Sequence, residues 1–144
     1  MDIVCECFNH VINNEGENGV LDSVNIKQYI MIRKAKILEL SELSGGKGLA
    51  EMHFIVSTEE LQGSARTYAK IVLKPLSSIG WHQHIGEIEP YYILSGEGIF
   101  IDNDKSRQKV VPGDVCMIAP GQFHSIENPS SDTDLTFMAL IYIV

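Results

Sequence analysis

The chain is short of positive charge. Lys and Arg together number 11 against 19 Asp and Glu, so the formal net charge is −8. Nucleic acid is met by a basic stripe, and the basic residues here are scattered along the chain (Lys34 and Lys36, Lys70 and Lys74, Lys105 to Lys109). Nucleic acid is therefore excluded as a partner. Long apolar runs are missing too. None approaches the roughly 18–20 residues that a membrane helix needs, so no membrane association is expected. The first residues also lack the basic stretch of a secretory signal. Cysteine is scarce. Cys5, Cys7 and Cys116 have no framework spacing, which argues against a disulfide scaffold and for reduced thiols in a cytoplasmic protein. Cys5-x-Cys7 finds no second pair at zinc-finger spacing. Neither a Gly-x-Ser-x-Gly elbow nor a phosphate-cradling loop occurs.

What is present suits one domain. At 144 residues and 44% hydrophobic content, the chain can bury a substantial core. Residues 1–30, with the Asn/Glu/Gly-rich stretch Asn13 to Asn18, read as an N-terminal arm or extension, partly disordered. Residues 31–144 read as the domain proper. There, short apolar runs alternate with turn signals. Met52–Ser57, Ala65–Leu73, Tyr91–Leu94, Gly98–Ile101, Lys109–Val111, Val115–Ile118 and Leu135–Ile143 read as strands, and many short strands imply an all-β sandwich or barrel. Ser44 to Gly48 reads as a flexible loop, and Thr58 to Leu61 as one helical turn capped by Thr58. Asp102-Asn103-Asp104 is a hairpin turn. A calcium loop would need Gly at Arg107 and Glu at Gly113. On Ala65–Leu73, Ala69, Ile71 and Leu73 form the core face, so Arg66, Tyr68 and Lys70 point outward.

Five histidines are available. His10 and His53 read as ordinary packed histidines. His82 and His84 lie two apart, so on a strand they share a face. Trp81 then points the other way, onto an outer face, where an exposed Trp marks a subunit contact. Glu87 and Glu89 follow after a short loop containing Gly86. Glu89, Tyr91 and Ile93 share the interior face of a strand that starts at Glu89. His124 arrives from a separate hairpin after Pro120-Gly121. Three imidazoles with a carboxylate make a ligand set for one transition metal.

These residues resemble the cupins. Their first motif is matched by His82-x-His84, four residues, Glu89, six residues and Gly96. The motif's leading Gly falls on Leu76. Their second motif is matched by Gly113, Gly121, His124 and Asn128, with Pro120 one place after the expected position at Ala119. The resemblance implies a double-sheet jelly roll. It also implies His82, His84, Glu89 and His124 as metal ligands, with the step to Gly96 and strand parity favouring Glu89 over Glu87. The cofactor is then one divalent transition metal ion: iron, manganese, nickel, cobalt or zinc. Four ligands leave up to two positions on an octahedral ion for a small-molecule ligand or substrate. Tyr91, Ile93 and Phe123 are candidate pocket lining. A homodimer is expected. The activity implied is on a small oxygenated molecule, of dioxygenase, isomerase, lyase or decarboxylase type. The alternative is non-catalytic small-molecule binding or sensing.

Overall fold

Alternation of apolar and polar residues makes strands, and strands dominate. The structure is a computed structural model and describes residues 32–144. The expected arm over residues 1–30, with Cys5, Cys7 and His10, lies outside the described residues. The barrel unit, Lys34–Val144, holds ten strands: β1 (Lys36–Ser41), β2 (Leu49–Phe54), β3 (Ala65–Leu73), β4 (Ser78–Gln83), β5 (Glu87–Ser95), β6 (Gly98–Ile101), β7 (Arg107–Val110), β8 (Val115–Ile118), β9 (Phe123–Glu127) and β10 (Leu135–Ile143). One sheet runs β1-β2-β3-β10-β5-β8 and the other β4-β9-β6-β7. All pairings are antiparallel. This is the expected all-β jelly roll.

The core lies between the sheets. Leu73, Tyr91, Ile93, Ile118, Leu135 and Phe137 come from the first sheet, and Ile79, Phe100, Val110 and Ile126 from the second. Burying each large apolar side chain contributes about 1.5–3 kcal/mol. On β3 the buried set includes Thr67, Ala69, Ile71 and Leu73, while Arg66 and Tyr68 are exposed, as the alternation predicts.

Three local readings change. Residues 58–63 form a turn and no helix. Ser57, not Thr58, is its cap: its Oγ accepts the Glu60 N–H at 3.3 Å, and the Glu60 carboxylate accepts the Ser57 N–H at 2.7 Å. The Ser44–Gly48 segment has a defined path through a short 3-10 turn at Leu43–Gly45. It packs backbone to backbone on β4: a Cβ on Gly46 would meet the Ser78 carbonyl, and one on Gly80 would meet the Ser44 carbonyl. Trp81 is not an open outer-face residue. It is half-buried, stacked on Phe123 at 5.7 Å and covered by the Lys105 ammonium at 3.0 Å from its ring centroid. A cation over indole is favourable, so this surface is occupied within the chain.

Leu76 explains the displaced glycine of the first motif. Its φ is +57°, the left-handed conformation that glycine adopts freely and a leucine adopts at a cost of roughly 1–2 kcal/mol. The turn is kept although the residue differs. Its N–H is tied to the Ser130 carbonyl.

Candidate metal centre

The four candidate ligands come from three strands and one turn. β4 carries His82, and β9 carries His124 directly opposite it in the register. The register shifts between Ile79 and His82, and such irregularities re-aim side chains. His84 lies just past the end of β4. It is pinned by its backbone: its N–H donates to the Gln122 carbonyl, and its own carbonyl accepts the Gly121 N–H. Gly121 sits at φ +83°, so this turn requires glycine. Glu89 projects inward from β5, across the interior. His84, Glu89 and His124 are buried, and His82 is partly exposed.

Four donor atoms converge. The Nε2 atoms of His82, His84 and His124 lie 3.1–3.2 Å from one another. Glu89 Oε2 lies 2.9 Å from His124 Nε2, 3.1 Å from His84 Nε2 and 4.0 Å from His82 Nε2. Among the described residues Glu89 Oε2 is buried without a hydrogen-bond donor. The tautomers point the same way. His82 donates its Nδ1–H to the Gly80 carbonyl at 2.8 Å, and His84 donates its Nδ1–H to Glu87 Oε2 at 3.2 Å. Each then presents a bare Nε2 lone pair to the centre. Lone pairs gathered this closely repel unless a cation sits among them, so the residues fit a metal ion.

Five separations here are 2.9–3.2 Å and one is 4.0 Å. Bonds of about 2.1 Å from one ion place neighbouring donors about 3.0–3.4 Å apart, so His82, His84, Glu89 and His124 could hold a single ion together.

The electrostatics follow from the same contacts. Burial pushes the Glu89 carboxyl up, but His124 and His84 outweigh it and bring it down to about 2. Glu89 raises His84 above the usual imidazole range against the effect of burial, with Glu87 adding to the rise. Burial lowers His82, opposed by the Gly80 carbonyl. Tyr91 is fully buried, and burial together with the Glu89 charge holds its hydroxyl well above the ordinary value.

The predicted site residues therefore divide. His82, His84, Glu89 and His124 come together. Tyr91 packs against His124 with ring centroids 5.2 Å apart, and Ile93 is buried in the core beside it. Phe123 is held elsewhere, in the stack with Trp81. His53 stays apart, 3.2 Å from Glu51. Strand parity does not separate Glu87 from Glu89, because β5 begins at Glu87 and puts both on one face. What separates them is Arg66, which engages both Glu87 oxygens. Neither this grip nor the Glu87–His84 contact is foreseen from the sequence.

The family model of the cupin domain matches residues 69–141. An oxalate-binding protein of Thermotoga maritima is 44% identical over 117 residues, covering 80% of this chain and 95% of that protein. A crystal structure from Thermotoga maritima, described as a predicted oxalate decarboxylase, superposes with a TM-score of 0.72 at 44% identity, over 76% of this chain and 94% of that one. The polyketide cyclase RemF of Streptomyces resistomycificus shares the fold at 19% identity and a TM-score of 0.59, over 76% and 73% of the two chains.

Proposed function

Because the chain belongs to the cupin family, we propose that it holds one divalent transition metal on His82, His84, Glu89 and His124 and there binds oxalate or a similar small dicarboxylate. The observation that carries this reading is the donor pattern, with one 4.0 Å separation and the rest near 3 Å. An ion held by four protein donors would keep room for donors from outside, and oxalate carries oxygens on neighbouring carbons, a pair that would chelate it. The Thermotoga relatives named for oxalate support the same ligand. A bound divalent ion supplies Lewis acidity toward such oxygens. The chain's residues do the rest. Burial and the Glu89 charge keep the Tyr91 hydroxyl neutral, and Phe100 and Phe137 pack around Tyr91. The apolar wall excludes water, which strengthens charge–charge contacts inside.

Calorimetric titration tests this. Metal-loaded protein should bind oxalate roughly 10–100-fold more tightly than acetate, the worth of a second charged contact. Chelator-stripped protein should bind neither. Equal affinities for the two anions, or oxalate binding that survives metal removal, overturn the reading. Formate and carbon dioxide released from oxalate would replace binding by decarboxylation, the second reading, which the relative's description favours.

The same reading includes a cytoplasmic homodimer. Tyr92, Leu94, Val115 and Met117 are 48, 41, 62 and 55% exposed on the outer face of β5 and β8, and Tyr92 pairs with Val115 across the strands. Among the described residues β8 is an edge strand, and an apolar patch beside such an edge favours burial against a second copy. Light scattering at micromolar concentration should give twice the chain mass, and Met117→Lys should lower it toward the monomer. A monomer mass for the unmodified protein rejects the dimer. The free, buried Cys116 thiol, pushed up to about 11 by burial, suits a reducing compartment.

A further inference from the structure

Arg66 and Glu87 supply no donor to the centre, yet both are linked to it through His84. The pairing of β3 with β10 skips Arg66: Thr67 lies opposite Ile141 and Ala65 opposite Tyr142. Arg66 is thus the extra residue of a bulge, a device that redirects a side chain. Its guanidinium reaches past β10 to β5 and takes both oxygens of Glu87. Nε donates to Oε1 at 2.7 Å and Nη2 to Oε2 at 2.9 Å. The same Oε2 accepts the Nδ1–H of His84 at 3.2 Å. Side-chain exposure falls along this line, from 55% at Arg66 to 18% at Glu87 and 1% at His84. The line runs from solvent to the centre.

We infer that Arg66 and Glu87 are positioning residues for the metal centre: Arg66 orients Glu87, and Glu87 holds the His84 ring with its Nε2 lone pair toward the other donors. This rests on the metal reading above. A neutral imidazole carries its proton on either nitrogen. A proton on Nε2 would remove His84 from the donor set. The carboxylate at Nδ1 selects the other tautomer and increases the ring's basicity as a ligand. The two-pronged grip matters because a guanidinium fixes the plane of a carboxylate, which an ammonium does not. With both oxygens engaged, Glu87 is also kept from joining the donor set in place of Glu89. Of the other two rings, His82 leans on a neutral carbonyl, and His124 Nδ1 has no hydrogen-bond partner among the described residues. Among the described residues, His84 is the ring of the set tied through a carboxylate to the surface.

The test uses zinc ions alone, without oxalate, and the full-length protein. Competition with a chromogenic chelator gives the zinc affinity of the unmodified protein, Glu87→Ala, Arg66→Ala and Arg66→Lys. Glu87→Ala should bind zinc about 10–100-fold more weakly. Arg66→Ala should lose a smaller part, and Arg66→Lys should recover only some of it. Nitrogen-15 spectra of the metal-free protein, taken at a pH that leaves the ring neutral, report the tautomer directly. His84 should carry its proton on Nδ1 in the unmodified protein and on both nitrogens in exchange in Glu87→Ala. A pair that served stability alone would lower the melting temperature and move neither readout. Zinc affinity within about twofold of the unmodified protein, together with an unchanged His84 tautomer in Glu87→Ala, overturns the inference and leaves the four-ligand reading standing. Unmodified protein that takes up no zinc overturns the four-ligand reading, and the tautomer result then decides whether Glu87 positions His84.

Discussion

His124→Ala should erase most of the stabilisation that metal gives this protein. Four-ligand protein sites bind divalent zinc with about 10–16 kcal/mol, so one ligand is worth about 2.5–4 kcal/mol, or roughly 100–1,000-fold in affinity. At a metal concentration about 1,000 times the dissociation constant, the unmodified protein gains about 4 kcal/mol. The variant at the same concentration should gain about 0.4–1.4 kcal/mol. A melting temperature raised by about 10–15 °C on adding metal should therefore rise by less than about 5 °C in the variant. The metal-free melting temperatures, measured alongside, remove the cost of the cavity left by a side chain that is fully buried. An equal rise in both proteins would exclude His124 from the centre. The sign of the pH dependence is also determined. The folded pKa of His84 is raised, so its proton stabilises the metal-free protein at acidic pH, and that stabilisation is lost as pH rises through the folded value. Metal must displace that proton. The gain from metal should accordingly be smaller near about pH 6 than near about pH 8.

The elements of this centre differ in how openly the sequence displays them. β3, β6, β8 and β10 are legible to the residue, because their short apolar runs are bounded by turn residues. β1 is not. Its side chains are exposed on both faces except for the half-buried Leu40, so it carries no one-sided pattern, and pairing with β2 makes it a strand. Parity places His82 and His84 together, and the interval from Gly113 to Asn128 brings His124, because the ligands obey local geometry. The Arg66–Glu87–His84 line obeys none. It depends on a bulge in β3 and on a reach across β10, and residues 21 apart in sequence show no periodic relation. Parity fails for Glu87 and Glu89 for a plain reason. They are two residues apart on one strand, and what distinguishes them is the motif step to Gly96 and, in the fold, an arginine from elsewhere. Trp81 misleads in a similar way. Facing away from the histidines suggests exposure, but Phe123 and Lys105 close over it.

Exchanging one amide nitrogen for oxygen, in Asn128→Asp, should cost about 3–5 kcal/mol at neutral pH, a large share of the usual total of about 5–15 kcal/mol. Asn128 follows β9 and is 2% exposed. Its Nδ2 donates to the carbonyls of Leu73 at 2.9 Å, Lys74 at 3.1 Å and Thr133 at 2.8 Å. Its Oδ1 accepts the Ser130 N–H at 3.1 Å, and its backbone N–H donates to the Ser77 carbonyl at 2.8 Å. One side chain thus ties the end of β3, in the larger sheet, to the strand that carries His124 in the smaller one. Aspartate has the same shape but turns an acceptor toward three acceptors. It can restore one donor only by taking a proton. Its folded pKa would therefore be raised, so the folded state binds more protons than the unfolded one as pH rises from about 4. Stability relative to the unmodified protein should fall over that range and level off once the folded pKa is passed. Asn128→Ala, which removes the donor without adding charge, should cost about 2–4 kcal/mol with no such slope. Urea unfolding of the three proteins at several pH values separates these outcomes. If aspartate and alanine lie together at every pH, the buried amide does not act as the donor between the sheets. If aspartate falls away from alanine above about pH 4, the carbonyls of Leu73, Lys74 and Thr133 are what that amide holds. The stability of the barrel then depends on a contact four residues from His124 on the same segment.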